Sequence, residues 1–312
     1  MNKETVLVTG GAGAVGSNLS SVLNNMGHSV IALDDLSSGR EDLVSRGVTF
    51  IKGSICDAGS MDKAFSHKPS VVFHLAAHFA NQNSINNPEN DLAVNGAGML
   101  NVLQYAKQSG VRKFLYASSS CVYGNEASMN ESHIPDDFDT PYALTKYLGE
   151  KYCRIWSHYF KLPTVIVRLF NSYGPGEYPG KYRNVIPNFM KLAMEKKPLT
   201  ITGTGEEVRD FNYVTDTVQG IIKAVFADTK PGDIFNIGSG KGTNISKLAA
   251  MINEITGNPA GIEYTPRRDW DNVASRISDI RKAKERLGYA PEVDIKGGLN
   301  KTYEWFKSIK CG

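Results

Sequence analysis

Thr5-Val6-Leu7-Val8-Thr9-Gly10-Gly11-Ala12-Gly13-Ala14-Val15-Gly16 decides the fold of this chain. A short apolar, β-prone run enters a glycine-rich turn. Beyond the turn, Ala14 to Met26 carries Leu19, Val22 and Leu23 at helical spacing. Strand, glycine turn and helix in that order make a seat for a phosphate. Gly10 permits the tight turn, Gly13 lets a pyrophosphate approach the backbone, and Gly16 lets helix and strand pack closely. The helix start adds free N–H groups and a partial positive charge.

The next apolar run, Val30-Ile31-Ala32-Leu33, ends at Asp34. A carboxylate at the end of the second strand accepts hydrogen bonds from adenosine ribose hydroxyls and repels a 2′-phosphate. The pattern therefore favours NAD over NADP, with Arg40 as a nearby cation able to accommodate that phosphate instead. Further apolar runs follow at Val48–Ile51, Val71–Leu75, Phe114–Ala117 and Val165–Val167. Helical stretches are expected between them, near Asp62–Phe65, Asp91–Gln108 and Leu144–Tyr159. Such alternation builds an α/β fold, a doubly wound parallel sheet covered on both faces.

After Val167 the pattern changes. Gly174-Pro175-Gly176-Glu177-Tyr178-Pro179-Gly180 is too rich in Pro and Gly for a sheet interior and reads as a long functional loop. Shorter, mixed elements follow: helices near Val185–Met194, Asp216–Phe226 and Ile245–Ile255, and a strand near Leu199–Ile201. Asp233–Ile237 reads as a buried strand that returns to the main sheet. The expected division is residues 1–168 and 169–312, with the second part discontinuous.

Composition narrows the classes. The 312 residues, 41% hydrophobic, can bury a full core. A formal charge of +3 is too weak to imply a nucleic-acid partner, no dense Lys/Arg block supports one, and none is expected. No apolar run approaches membrane-spanning length, and Met1-Asn2-Lys3-Glu4 entering a strand directly predicts no signal peptide. Cys56, Cys121, Cys153 and Cys311 form no CxxC pair and no metal-ligand spacing, so no metal and a reduced, cytoplasmic setting are expected.

Tyr142-Ala143-Leu144-Thr145-Lys146 supplies the chemistry. A free phenol, with a pKa of about 10, is a poor base at neutral pH. A lysine one helical turn away shares its face, and its charge favours the phenolate. Ser119, in the run Ser118-Ser119-Ser120 after a sheet strand, is placed to hydrogen-bond a reacting hydroxyl beside the phenol. The three residues read as a catalytic set that oxidises an alcohol.

These strings, with His74-Leu75-Ala76-Ala77, Ser118-Ser-Ser-Cys-Val-Tyr-Gly124, Arg168-Leu-Phe-Asn171, Tyr173-Gly-Pro175, Arg209-Asp-Phe211 and Arg281-Lys-Ala-Lys-Glu-Arg-Leu-Gly288, resemble the extended short-chain dehydrogenase/reductases over nearly the whole chain. More narrowly they resemble the nucleotide-sugar epimerase and dehydratase branch. The resemblance implies a Rossmann domain holding NAD and a smaller, discontinuous C-terminal α/β domain holding a nucleoside-diphosphate sugar. It carries family cofactor contacts onto Gly10, Gly13, Ala14, Val15, Gly16, Asp34, Ser54, Ile55, Leu75, Ala76, Ala77, Asn95, Tyr142 and Lys146. It carries substrate contacts onto Ser119, Asn171, Asn184, Val185, Thr202, Arg209 and Arg268. Ser54 stands where many relatives have Asp, which leaves less charge assistance for an adenine amine. The resemblance also implies a homodimer built as a four-helix bundle from Asp91–Gln108 and Leu144–Tyr159, with Leu100, Leu103, Leu148 and Trp156 facing either the partner or the sheet.

The branch is read from what is missing. A 4,6-dehydratase needs an acid and a base beside the tyrosine, and relatives of that kind carry Asp and Glu where this chain has Ser120 and Cys121. Decarboxylases of the family carry a Glu that is also absent. The bare Ser-Tyr-Lys set suits 4-epimerisation of a UDP-sugar. A dehydratase or other oxidoreductase, and a non-catalytic dinucleotide-binding protein, stay as alternatives. Ser275 is expected at a gate where a small residue admits a 2-acetamido sugar, while Arg276 or Arg183 would answer a uronic carboxylate.

Overall fold

The computed structural model describes residues 3–126, 129–133, 137–268, 271 and 273–309. The expectations resting on Met1, Asn2 and Cys311 fall outside them. β1 (Thr5–Thr9), β2 (Ser29–Asp34), β3 (Thr49–Lys52), β4 (Val71–His74), β5 (Lys113–Ser119), β6 (Thr164–Leu169) and β7 (Asp233–Ile237) form a seven-stranded sheet in the order β7-β6-β5-β4-β1-β2-β3. All its pairings are parallel. The order reverses beside β1, so the carboxyl ends of β1 and β4 open a crevice at that point, the usual place for a ligand in such sheets.

Parallel strands covered on both sides are apolar on both faces, and β1 is buried from Val6 to Val8 for that reason. On one face α1 (Ala14–Asn25) and a helix at Val214–Phe226 pack Leu19, Leu23, Val218 and Ile221 against Val6, Val8 and Val167. On the other, α2 (Ala58–Ser66), α3 (Met99–Gln108) and α4 (Pro141–Tyr159) pack Met61, Val102, Leu103 and Cys153 against Leu7, Val72 and Phe114. Leu103 therefore faces the sheet, while Leu100, Leu148 and Trp156 are half-buried.

The stretch expected as one helix from Asp91 begins instead with a π-helical segment, Leu92–Gly98, before α3. Its wider turn accommodates an extra residue, and such turns recur at functional sites. The helix expected from Leu144 starts earlier, at Pro141, because Thr140 Oγ1 caps it by accepting the Ala143 N–H at 3.2 Å. Beyond Leu169, a three-stranded sheet pairs Val208–Asp210 antiparallel with Gly242–Asn244 and parallel with Ser275–Arg276. No helix among the described residues is long and apolar enough to cross a membrane.

Candidate active site

A cavity of about 1010 Å³ runs from the glycine turn to the Val208–Asp210 strand. That lies at the upper end of the range for a small-molecule site. At its dinucleotide end, Gly10 takes φ +71°, and a Cβ on Gly16 would stand 1.9 Å from the Gly10 carbonyl oxygen. No side chain fits there, so the turn keeps its shape only with glycine. No side chain caps the start of α1. Ala14, Val15 and Gly16 line the cavity beside Gly13, presenting an open helix terminus to an anion.

Asp34 borders the same region. Its Oδ2 accepts the Ala12 N–H at 3.0 Å and its Oδ1 the Leu36 N–H at 2.9 Å. Burial raises its carboxyl above the ordinary value, and those two N–H groups pull it back. Arg40 does not line the cavity: it is paired with Asp42 at 3.0 Å and lies 4.3 Å over the Tyr178 ring. The cation weighed for a 2′-phosphate is thus turned away, and an NAD ribose suits Asp34. Ser54, Ile55, Leu75, Ala76 and Ala77 also line the cavity. Asn95 does not. It holds a residue that does, accepting the His78 N–H at 2.8 Å and donating to Asp91 at 2.8 Å.

The reacting end is built by β5 and α4. Ser119 closes β5, and its Oγ accepts the Cys121 N–H at 3.1 Å. Tyr142 and Lys146 sit one turn apart on α4, both buried. The Lys146 Nζ donates to the Ala117 carbonyl at 2.8 Å and lies 5.8 Å from the Tyr142 ring centre. Burial lowers the Lys146 ammonium to about 8, against the pull of Asp91. Burial pushes the Tyr142 phenol well above its ordinary value, Cys121 adds to this, and the Ser119 hydroxyl opposes it. Ionising the phenol therefore requires nearby positive charge, and Lys146 is the side chain placed to give it.

A buried ion pair fixes α4 to the sheet. Arg168 donates to Glu150 through Nε at 2.8 Å and Nη2 at 2.7 Å, and Ser118 Oγ donates to Glu150 at 2.6 Å. Burial disfavours the Arg168 charge, but Glu150 outweighs it and the guanidinium stays strongly basic.

At the far end Asn171, Asn184, Val185, Thr202, Arg209 and Arg268 all line the cavity. Ser275 does not. It is exposed, and its neighbour Arg276 takes the inward position, since side chains alternate along a strand. Cys121 also lines the cavity. Sequence reasoning missed Glu177, which is buried in the Pro/Gly loop. Its Oε1 accepts from Asn184 at 2.7 Å, its Oε2 has no partner among the described residues, and burial raises it to about 7. The density of Pro and Gly around it was the available signal.

Residues 6–238 match the NAD dependent epimerase/dehydratase family. The chain belongs to that family. Epimerase Mth375 from Methanothermobacter thermautotrophicus is 47% identical, with a TM-score of 0.96 over 98% of this chain and 93% of that one. UDP-glucose 4-epimerase of Thermotoga maritima, solved with UDP-glucose, is 35% identical, with a TM-score of 0.93 over 97% and 99%. Among curated proteins, a UDP-glucose 4-epimerase of Mycolicibacterium smegmatis is 34% identical over 97% of this chain and 98% of its own length. A UDP-N-acetyl-alpha-D-glucosaminuronate decarboxylase of Bacillus cytotoxicus is 32% identical over 99% of both. Family membership makes the chain an NAD-dependent enzyme of the extended short-chain dehydrogenase/reductase type, with a Rossmann fold.

Proposed function

We propose that this protein epimerises a UDP-sugar at C4. The observation that carries the reading is the bare Ser119-Tyr142-Lys146 set, followed by Ser120 and Cys121 where elimination or decarboxylation would call for further acids and bases. The glycine turn, the open start of α1 and Asp34 fit NAD, with residues 1–168 holding the dinucleotide and 169–312 the sugar nucleotide. NAD when bound supplies a hydride acceptor, a later hydride donor and a positive ring charge. The chain's own residues do the proton work. Ser119 holds O4 beside Tyr142, the phenolate takes the O4 proton, and Lys146 stabilises the phenolate. Once the sugar has turned within the pocket, Tyr142 returns the proton to O4 of the opposite epimer. Arg209 and Arg268 tether the diphosphate while the sugar turns, because guanidinium pairs well with phosphate.

Proton NMR of the anomeric region tests this with UDP-glucose, UDP-N-acetylglucosamine and UDP-glucuronate. A reversible C4-epimer signal is expected, reduced about 10²- to 10⁴-fold in Tyr142→Phe. A 4-keto-6-deoxy product or a decarboxylated pentose would overturn the assignment.

A further inference from the structure

Two guanidinium groups stand side by side at the sugar end of the cavity. The strands Val208–Asp210 and Ser275–Arg276 run parallel, with Arg276 directly opposite Arg209. Like charges placed opposite one another across a sheet destabilise it unless something answers them. Arg209 is answered, by Asp271 Oδ1 at 3.3 Å. Burial lowers its basicity, and the charge of Arg276 lowers it further.

Among the described residues Arg276 takes part in no ion pair, although it is 8% exposed. Its Nη2 donates to the Gly124 carbonyl at 2.9 Å, its Nη1 reaches Cys121 Sγ at 3.7 Å, and its buried Nε has no partner among the described residues. A buried charge without a counter-charge is expensive to keep. Gly124 and Cys121 follow Ser119 closely in the chain, so Arg276 stands with the reacting residues, away from the glycine turn at the opposite end of the cavity.

We propose that Arg276 recognises a carboxylate carried by the sugar itself, an inference that rests on the nucleotide-sugar reading above. The planar fork of a guanidinium matches a carboxylate, and a hexose bearing only hydroxyls leaves the charge unanswered. Arg209 and Arg268 remain for the diphosphate. Arg276 is then a specificity residue that selects an acidic sugar over its neutral counterpart.

Calorimetric titration of the NAD-loaded protein with four probes tests this. UDP-glucuronate carries its carboxylate at C6 and UDP-N-acetylmuramate carries one on an ether at O3. UDP-glucose and UDP-N-acetylglucosamine are their neutral counterparts. Wild-type protein is expected to bind one acid about 10- to 100-fold more tightly than its neutral partner, and the acid preferred locates the carboxylate. Arg276→Met loses that preference, and Arg276→Lys regains part of it. Equal affinity for acids and neutral sugars in the wild type overturns the proposal. So does an Arg276→Met variant that weakens all four alike, the mark of a residue that merely pins the Ser120–Gly124 turn. If the acid preference holds and depends on Arg276, but NMR shows no C4 epimer, the epimerase reading fails and the carboxylate site stands.

Discussion

Replacing Glu150 by alanine removes the only carboxylate paired with Arg168 among the described residues. The arginine side chain is 2% exposed, and its Nη1 already lacks a partner among the described residues. Its guanidinium lies 4.6 Å over the Tyr123 ring, which offers partial compensation. Breaking a buried pair from one side typically costs about 3–5 kcal/mol, because the remaining charge is stranded. Spread over 312 residues at about 2.1 cal/mol/K each, the unfolding entropy near the midpoint is about 0.66 kcal/mol/K. The expected drop in melting temperature is therefore about 5–8 °C. Thermal unfolding by circular dichroism of the wild type, Glu150→Ala, Arg168→Met and the Glu150→Met/Arg168→Met double variant measures it. The double variant should melt near the wild type, since apolar residues of similar volume replace such pairs at little cost. A drop below about 1.5 °C in Glu150→Ala would show that water reaches Arg168. A double variant as unstable as the two singles combined would show that the charges act independently. Either result refutes the account of how α4, and with it Tyr142 and Lys146, is held to the sheet.

Burial pushes His74 down to about 3, from an ordinary 6.5. Between those values the unfolded chain holds a proton that the folded chain does not, so stability falls as pH falls. The group contributes a loss of about 1.7 kcal/mol from pH 6.5 to pH 5, and urea midpoints at the two pH values should show a shallower fall in His74→Asn; an unchanged difference sinks the assignment. The exposed Leu92, Leu144 and Ile155, at 57%, 51% and 40%, lie on or beside the helices expected to pair two chains. Sedimentation is expected at twice the 34.1 kDa chain mass, and at one chain mass in a Leu144→Arg/Ile155→Arg variant; a monomeric wild type removes the four-helix bundle.

What the sequence determined by itself was local. Gly10, Gly13 and Gly16 had to make a tight turn because their spacing serves a strand, a turn and a helix in immediate succession. Tyr142 and Lys146 had to share a helix face because helical periodicity puts residues four apart together. The alternation of apolar runs with amphipathic stretches predicted the parallel sheet, and Asp233–Ile237 does pair with β6. The boundaries of α4 and the π-helical segment at Leu92–Gly98 were not legible, since a cap and a widened turn depend on a few specific hydrogen bonds. Only the tertiary structure decided which residues meet across the cavity. It moved Asn95 behind His78, turned Arg40 toward Asp42 and Tyr178, and buried Glu177 against Asn184. It also exchanged Ser275 for Arg276 at the cavity wall. That exchange follows from strand register, where a shift of one residue reverses which side chain points inward. Arg276 reaches Cys121 across 155 residues of chain, a distance at which periodicity carries no information and packing alone selects the neighbour.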